Sequence, residues 1–395
     1  MGLEVIVASS GEHSLTSEVH DGLHIDLDDI DSACDEIVKA AKKSSFCGVL
    51  GCDDSTVELA AAVAQRLKLP HNPPEAARLS RRKDLSRAHL LNYGCAVPGH
   101  HYLDLDQDLA AQLTPISYPC VVKPVHLSAS RGVIRANDPG ELITACERIK
   151  PIIQDAVDPT EASRVIVEDY IDGVEVAYEG FLNDGQLNTL VIFDKPIPLV
   201  GPFFEESIYV TPSQLSFEQQ QSIKQSVAHA CDAYGLCTGP VHAELRVNAD
   251  NAWILEVASR TIGGDCGQTL SSTEVNSTED SGFSIEELAL SLAIGHPIHP
   301  KPLLGSRGVM MIPIPKAGIL KRVEGLEAAR QVEHVEKVDI IIAAGHELVP
   351  TPEGEQYPGY IFARAEKPQQ VIAALQEAHD KLKFLISPLW KISNI

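Results

Sequence analysis

The stretch from Gly239 to Asp265, GPVHAELRVNADNAWILEVASRTIGGD, constrains this chain more than any other. Val241, Ala243, Leu245 and Val247 are apolar and alternate with His242, Glu244 and Arg246, the period-two pattern of a strand with one dry face and one wet face. Asn248 to Asn251 has turn chemistry, and Trp253 to Val257 resumes a strand, so the segment reads as a hairpin. With an odd loop, such as Ala249 to Asn251, Glu244 falls opposite Glu256 on the wet face. Two carboxylates so placed repel unless a cation lies between them. A hard divalent ion such as Mg²⁺, shared with phosphate oxygens, answers that need. Arg260 follows on the same side, and Gly263 and Gly264 supply backbone amides for an anion. An isolated pair of this kind reads equally as a solvated hairpin face, so the rest of the chain must decide.

The length, 395 residues, exceeds what one core organises and implies two or three domains. Apolar content of 44% with 22% charged residues is that of a soluble globular protein. A formal net charge of -23 argues against nucleic acid or an anionic membrane as the main partner. A small anion remains within reach, because one local cluster of Lys, Arg and Mg²⁺ can hold ATP. The nine cysteines form no CxxC pair and no metal-ligand spacing, which fits a reducing cytoplasm. The opening MGLEVIVASS lacks the pattern of a signal peptide, and no run approaches the ~18 apolar residues of a membrane helix.

Residues 1 to about 80 alternate strand and helix. EVIVAS and CGVLG read as strands, Asp31 to Lys43 and Val57 to Leu67 as helices, and Asp53-Asp54-Ser55-Thr56 as a cap for the second. Such an open α/β domain offers ligand space at its strand ends but has no GxGxxG. Ser80 to Tyr93 is expected to be helical, with Lys83 and Arg87 one turn apart. Strands Cys120 to Lys123 and Val133 to Ala136 flank a loop of small residues, Ser128 to Gly132. Lys123 ends an apolar strand and therefore wants an anion. Ser130, Arg131 and Gly132 can lie over phosphates. A helix over 141–150 precedes RVIVEDYIDGVEVAYEGFL, two strands joined at Asp172-Gly173, with LNTLVIF as the next strand. The hinge between Glu168 and Glu175 can offer peptide groups to an adenine and a carboxylate to a ribose. The Pro-rich stretch from Phe193 to Pro212, with Glu205 and Glu206, reads as a mobile lid or substrate loop. Phe217 to Tyr234 is an amphipathic helix, and a polar loop (Ser271 to Gly282) precedes a helix from Ser284 to Ile294. Residues 301–395 read as a separate α/β lobe with strands near 308–313, 337–343 and 360–364 and a last helix near 368–382.

Taken in order, Lys83-xxx-Arg87 before Gly-x-x-x-Pro, VVKP with its small loop, EDYIDGVE, HAELRV and LEVASRTIGGD resemble the ATP-grasp superfamily. The RTIGGD ending, the FDKP and FFEE segments and the last lobe resemble its carboxylate–amine ligases of the L-amino-acid ligase type. The resemblance implies an α/β (α+β) ATP-grasp fold with domains at 1–80, 81–300 and 301–395. It also implies roles. Lys83, Lys123 and Lys195 would hold ATP phosphates, with Ser130 to Gly132 closing over them. Glu168 and the backbone at Ile171 would receive the adenine, and Glu175 the ribose. Glu244 and Glu256 would ligate Mg²⁺, Arg260 would face the reacting carboxylate, and His242 and Glu206 would lie on the substrate side. Many such enzymes carry Asn two residues after the second metal Glu, where this chain has Ala258, a departure that bears on how many ions are held tightly.

The implied reaction joins an amino acid or related carboxylate to an amine through an acyl phosphate, releasing ADP and phosphate. The implied partners are these small molecules and, as is usual for such enzymes, a second copy in a homodimer. A purine-pathway or biotin-carboxylase-like enzyme, or a non-catalytic ATP-binding module, would share the nucleotide site.

Overall fold

A computed structural model describes residues 2–10, 22–27, 29–271, 284–296, 300 and 303–389. Most of the polar loop expected from Ser271 to Gly282 lies outside them. The chain opens with a small layer in which Val7–Ser9 pairs in parallel with Gly22–His24. Helices Ile30–Ala41 and Val57–Leu67 bury Cys34, Ile37, Leu59 and Val63 together with Ile25. The expected strand across Cys47 to Gly51 does not form. That run is a close-packed connection instead. A Cβ on Gly48 would lie 2.8 Å from the Ala293 carbonyl oxygen, and one on Gly51 2.8 Å from the Val57 Cα. Of its apolar side chains only Val49 packs on the core of the first layer, while Cys47 and Leu50 stay exposed.

The helix expected from Ser80 to Tyr93 is two helices, Pro74–Arg81 and Lys83–Asn92, broken at Arg82 (φ −90°, ψ 99°). The break has a local cause. The Lys83 amide donates to the Val125 carbonyl (2.9 Å), and the Arg82 guanidinium is held by Asp84 and Asp158.

A four-stranded antiparallel sheet follows, in the order His100–Asp104, Arg164–Asp169, Cys120–Pro124, Ile134–Ala136. Helix Pro139–Ile153, capped by Asp138 on the Glu141 amide (2.9 Å), buries Leu142, Ala145, Cys146 and Ile149 against Val122, Val165 and Val167.

The largest layer is an eight-stranded sheet in the order Ala252–Ala258, Gly239–Val247, Val174–Asn183, Gln186–Asp194, Ile208–Thr211, Ser306–Met311, Gly359–Ala365, Val335–Ile340. This order bears on two expectations. The end of the Phe193–Pro212 segment is no exposed lid, because Ile208–Thr211 is a fully buried strand. That strand bonds Ser306–Met311 along one edge and meets Asp194 on the other. Strands Ser306–Met311, Gly359–Ala365 and Val335–Ile340 therefore continue the sheet of the hairpin, so that part of residues 301–395 forms no layer of its own. Their positions, and helix Pro368–Lys381, are close to those expected. A three-stranded sheet of Glu347–Leu348, Gly318–Glu324 and Lys383–Ser387 lies beyond. No described helix is long and apolar enough to cross a membrane.

Candidate active site

The hairpin that organises the sequence also organises the site. Its turn spans the four residues Asn248 to Asn251, where the Asn248 side-chain oxygen accepts the amides of Asp250 (3.0 Å) and Asn251 (3.1 Å). Pairing then runs Val247 with Ala252, Arg246 with Trp253 and Leu245 with Ile254. Continued without change, that register would put Leu255 opposite Glu244 and turn Glu256 to the other face. A β-bulge intervenes: the register shifts after Leu245, and Glu244 pairs with Glu256. The expected juxtaposition is present, but an even turn plus a bulge produces it rather than an odd turn. Arg87 secures the bulge, donating to the carbonyls of Ile254 (3.1 Å) and Leu255 (2.6 Å).

Both carboxylates line one cavity of about 700 Å³, bounded by all three major layers. Each already faces an ammonium: Lys83 Nζ lies 3.1 Å from Glu256, and Lys195 Nζ 3.1 Å from Glu244. Lys83 also donates to the Leu127 carbonyl (2.8 Å), which ties the start of its helix to the small-residue loop. Lys123 reaches the cavity from the four-stranded sheet and donates to Glu168 (2.7 Å). The Glu168 carboxylate also accepts from Arg87 Nε (2.7 Å). Burial pushes its carboxyl up, but Arg87 and Lys123 outweigh burial and hold it at about 2. Glu168 is thus engaged first as the anion that fixes two cations.

A second charge cluster lies deeper. The Lys195 ammonium donates to Glu175 (2.9 Å), Glu206 and Glu244. Burial alone would lower Lys195, but these three carboxylates raise it well above the ordinary lysine range. Burial and the adjacent Glu244 carboxylate push Glu206 up to about 7 against the pull of Lys195. Glu244 stays well below the carboxylate range, since Lys195 and His242 outweigh its burial. Carboxylate oxygens of Glu175, Glu206 and Glu244 fall within 4.8 Å of one another, a hard-oxygen donor set suited to a cation. His242 donates to the buried Glu179 carboxylate, whose other oxygen accepts the Ile262 amide (3.1 Å). Burial would depress the imidazole, yet the Glu179 carboxylate raises it to about 10.

Arg260 lines the same cavity, its Nε and Nη2 donating to both oxygens of Asp54 (2.8 and 2.7 Å) and its Nη1 to the Thr261 carbonyl (2.9 Å). Gly263 and Gly264 follow, and Gly264 has φ +61°, a conformation that favours glycine. Two expected residues turn elsewhere. Arg131 faces the last lobe, donating to the Glu353 carbonyl (3.0 Å), and the Gly132 amide donates to the Pro352 carbonyl (2.8 Å). In this arrangement neither is free to close over a phosphate, whereas Ser130, with φ +54°, lines the cavity. Ile171 also lines it, with its carbonyl accepting from Arg246 (2.9 Å), and Glu175 is shared between Arg246 (3.0 Å) and Lys195. Ala258 is fully buried opposite His242.

The sequence reading missed Asp54, Glu179 and the burial of Arg87, which is 1% exposed. Signals existed for two of them. Asp53 alone serves the turn before helix Val57–Leu67, accepting the Ser55 and Thr56 amides, which leaves Asp54 without a capping role. Glu179 interrupts the otherwise uncharged run Val176–Leu182 in the middle of its strand.

Comparison with known proteins gives three family matches: the ATP-grasp N-terminal domain over residues 1–71, the ATP-grasp domain over 116–269, and the L-amino acid ligase C-terminal domain 2 over 310–387. The uncharacterized protein y4rH of Sinorhizobium fredii is 22% identical over 367 residues, covering 92% of this chain and 73% of that protein. D-alanine–D-alanine ligase B of Pseudomonas syringae pv. tomato is 28% identical over 210 residues, 50% of this chain. The chain spans 59% of that ligase's length. The crystal structure of L-amino acid ligase from Bacillus licheniformis superposes with a TM-score of 0.83 at 27% identity, covering 98% of this chain and 93% of that one. With the three matches in fold order and the charged hairpin at their centre, the chain belongs to the ATP-grasp superfamily, among its ATP-dependent carbon–nitrogen ligases of the L-amino-acid ligase type.

Proposed function

We propose that this protein uses ATP to join the carboxylate of an amino acid, or of a related acid, to an amine, releasing ADP and phosphate. The observation that carries the reading is the pairing of Glu244 with Glu256 in one cavity lined by Lys83, Lys123 and Arg260, with Lys195 paired to Glu244 behind it. A carboxylate is a poor electrophile and needs activation, here as an acyl phosphate that the amine then attacks. Lys83 and Lys123 hold the nucleotide phosphates, and Glu168 keeps Lys123 aimed. Arg260, with the Gly263 and Gly264 amides, faces the oxyanion of the reacting carboxyl, a role worth roughly 3 kcal/mol per donor in comparable sites. The donor chemistry fits Mg²⁺: Glu244 and Glu256 would hold it, with Glu206 beside Glu244 able to add an oxygen where Ala258 cannot. Bound there, the ion would offset charge on the phosphates. Lys195 pairs with Glu206 and Glu244, and Lys83 with Glu256.

Two relatives support this substrate class, D-alanine–D-alanine ligase B and the L-amino acid ligase of Bacillus licheniformis. The test is a phosphate-release screen over pairs of amino acids with ATP and Mg²⁺, followed by the mass of the product. A condensed product with ADP is expected; AMP formation, or no nucleotide turnover on any pair, would overturn the reading. Bicarbonate and phosphoribosyl acceptors serve as controls for the purine-pathway and biotin-carboxylase-like alternatives.

A further inference from the structure

Arg260 does not stand alone in the cavity. Its partner, Asp54, comes from the first lobe, 206 residues away in the chain. Both carboxylate oxygens engage the guanidinium, at 2.8 Å to Nε and 2.7 Å to Nη2. The two side chains are largely covered, at 12% and 15% exposure. A bidentate pair of this kind fixes the plane of the guanidinium as well as its position. The Thr261 carbonyl takes a third N–H. Of the five N–H groups of an arginine, two are then left, on a plane that cannot rotate, in a side chain that lines the cavity.

Asp54 is free to do this because its neighbour Asp53 serves the turn before helix Val57–Leu67. Gly51, packed against the Cα of Val57, draws the Cys52–Asp54 loop tightly onto the start of that helix. Cys52, Asp53 and Asp54 all line the cavity.

We propose that Asp54 is the positioning residue for Arg260, so that the first lobe sets the aim of the group facing the reacting carboxyl. This rests on the role given to Arg260 under the proposed function. The pairing limits how freely Arg260 can swing. It holds the guanidinium toward the place where negative charge develops, in the manner of a preorganised donor. An arginine without its partner would sample several rotamers and meet the oxyanion only part of the time.

The experiment is a double-mutant cycle on the full-length enzyme with Asp54→Asn, Arg260→Lys and the double variant. It uses an amino-acid pair turned over by the wild type and measures kcat, KM for each substrate and thermal midpoint. Asp54→Asn is expected to lower kcat on the order of tenfold to a hundredfold, the scale of misplacing one catalytic group. The KM for ATP should stay within about twofold. In the Arg260→Lys background, where the bidentate geometry is already lost, adding Asp54→Asn should lower kcat less than threefold further.

Fully multiplicative losses would overturn the proposal, since Asp54 would then act independently of Arg260. A rise in the KM for an amino acid with kcat unchanged would also overturn it, and would indicate that Asp54 binds a substrate ammonium directly. A fall in thermal midpoint that accounts for the activity loss would reduce Asp54 to a lobe contact and likewise overturn it. An active wild type with an unaffected Asp54→Asn variant sinks this proposal alone. A wild type inactive on every pair sinks the ligase reading and this one with it.

Discussion

At the scale of single residues, the site is a set of charges that each need an opposite. Glu256 is the simplest to test. Glu256→Gln keeps the shape of the strand but removes one of two facing carboxylates, so phosphate release should fall by roughly 10²–10³-fold or more, the scale of losing one preorganised electrostatic group. Circular dichroism and the thermal midpoint should change little; an active Glu256→Gln enzyme would end the reading of the hairpin as a metal site. Glu168 makes a different prediction, about stability. Its carboxyl is depressed to about 2 in the folded protein, against an ordinary value of 4.5. A depressed carboxyl contributes stability that is fully present above 4.5 and is lost as pH falls from there toward 2. Glu168→Gln also leaves Arg87 and Lys123 buried without their anion, a change that typically costs ~3–5 kcal/mol. Melting curves should therefore separate wild type from Glu168→Gln widely at pH 7 and converge as pH falls below about 4.5. A gap that stays constant down to pH 3 would mean the carboxylate is not held as described.

At the scale of elements, the decisive feature is one residue, Leu255. Strand positions alternate faces, so a hairpin closed by a four-residue turn would direct Glu256 away from Glu244. The bulge at Leu255 restores the pair, and Arg87 binds the two carbonyls beside it. Arg87→Lys keeps a charge for Glu168 but cannot also reach both carbonyls. It should lower the thermal midpoint by several degrees and reduce turnover together, because the bulge and the Lys123 anchor loosen at once; a full-activity Arg87→Lys enzyme would show that the bulge holds by itself.

The same elements explain what could be read from sequence. Alternation along Val241 to Val247 and the periodicity of Val57–Leu67 and Phe217–Tyr234 depend on local pattern alone, and the observed elements match them closely. The bulge was not legible, since it depends on a distant arginine. Neither was the strand Ile208–Thr211, a four-residue element that exists only because strands from both sides of it in sequence meet there. Arg82 broke an otherwise regular helix for a similar reason: its neighbour's amide bonds a loop more than 40 residues on. Local chemistry set the motifs, while long-range pairing set the register and the partners of each charge.

At the scale of the whole molecule, the eight-stranded sheet unites the charged hairpin with the last lobe, and that lobe reaches back to the four-stranded sheet. The Gly132 amide meets the Pro352 carbonyl, Arg131 the Glu353 carbonyl, and Arg148 the Glu353 carboxylate, with Nη2 at 2.9 Å. These contacts fasten the small-residue loop and helix Pro139–Ile153 to the segment Pro350–Glu355. The clasp sits at the edge of the cavity, whose lining includes Ser130 on one side and Glu355 on the other. On the proposed reaction, an acyl phosphate formed inside would be lost to water if the two layers parted, so the clasp bears on coupling more than on overall fold. The Arg148–Glu353 pair is about 41% and 40% exposed, and a pair like that is worth at most ~1 kcal/mol. Glu353→Ala removes only that pair, because the backbone contacts of Pro352 and Glu353 remain. Its effect should be confined to the opening equilibrium, which shifts by roughly threefold to fivefold for ~1 kcal/mol or slightly less. Phosphate release with ATP and an amino-acid carboxylate, but no amine acceptor, should rise by about that factor. Ligation with the acceptor present should lose yield per ATP rather than rate. Equal amine-independent release by wild type and Glu353→Ala, measured side by side at physiological salt, would show that the layers do not part there during turnover.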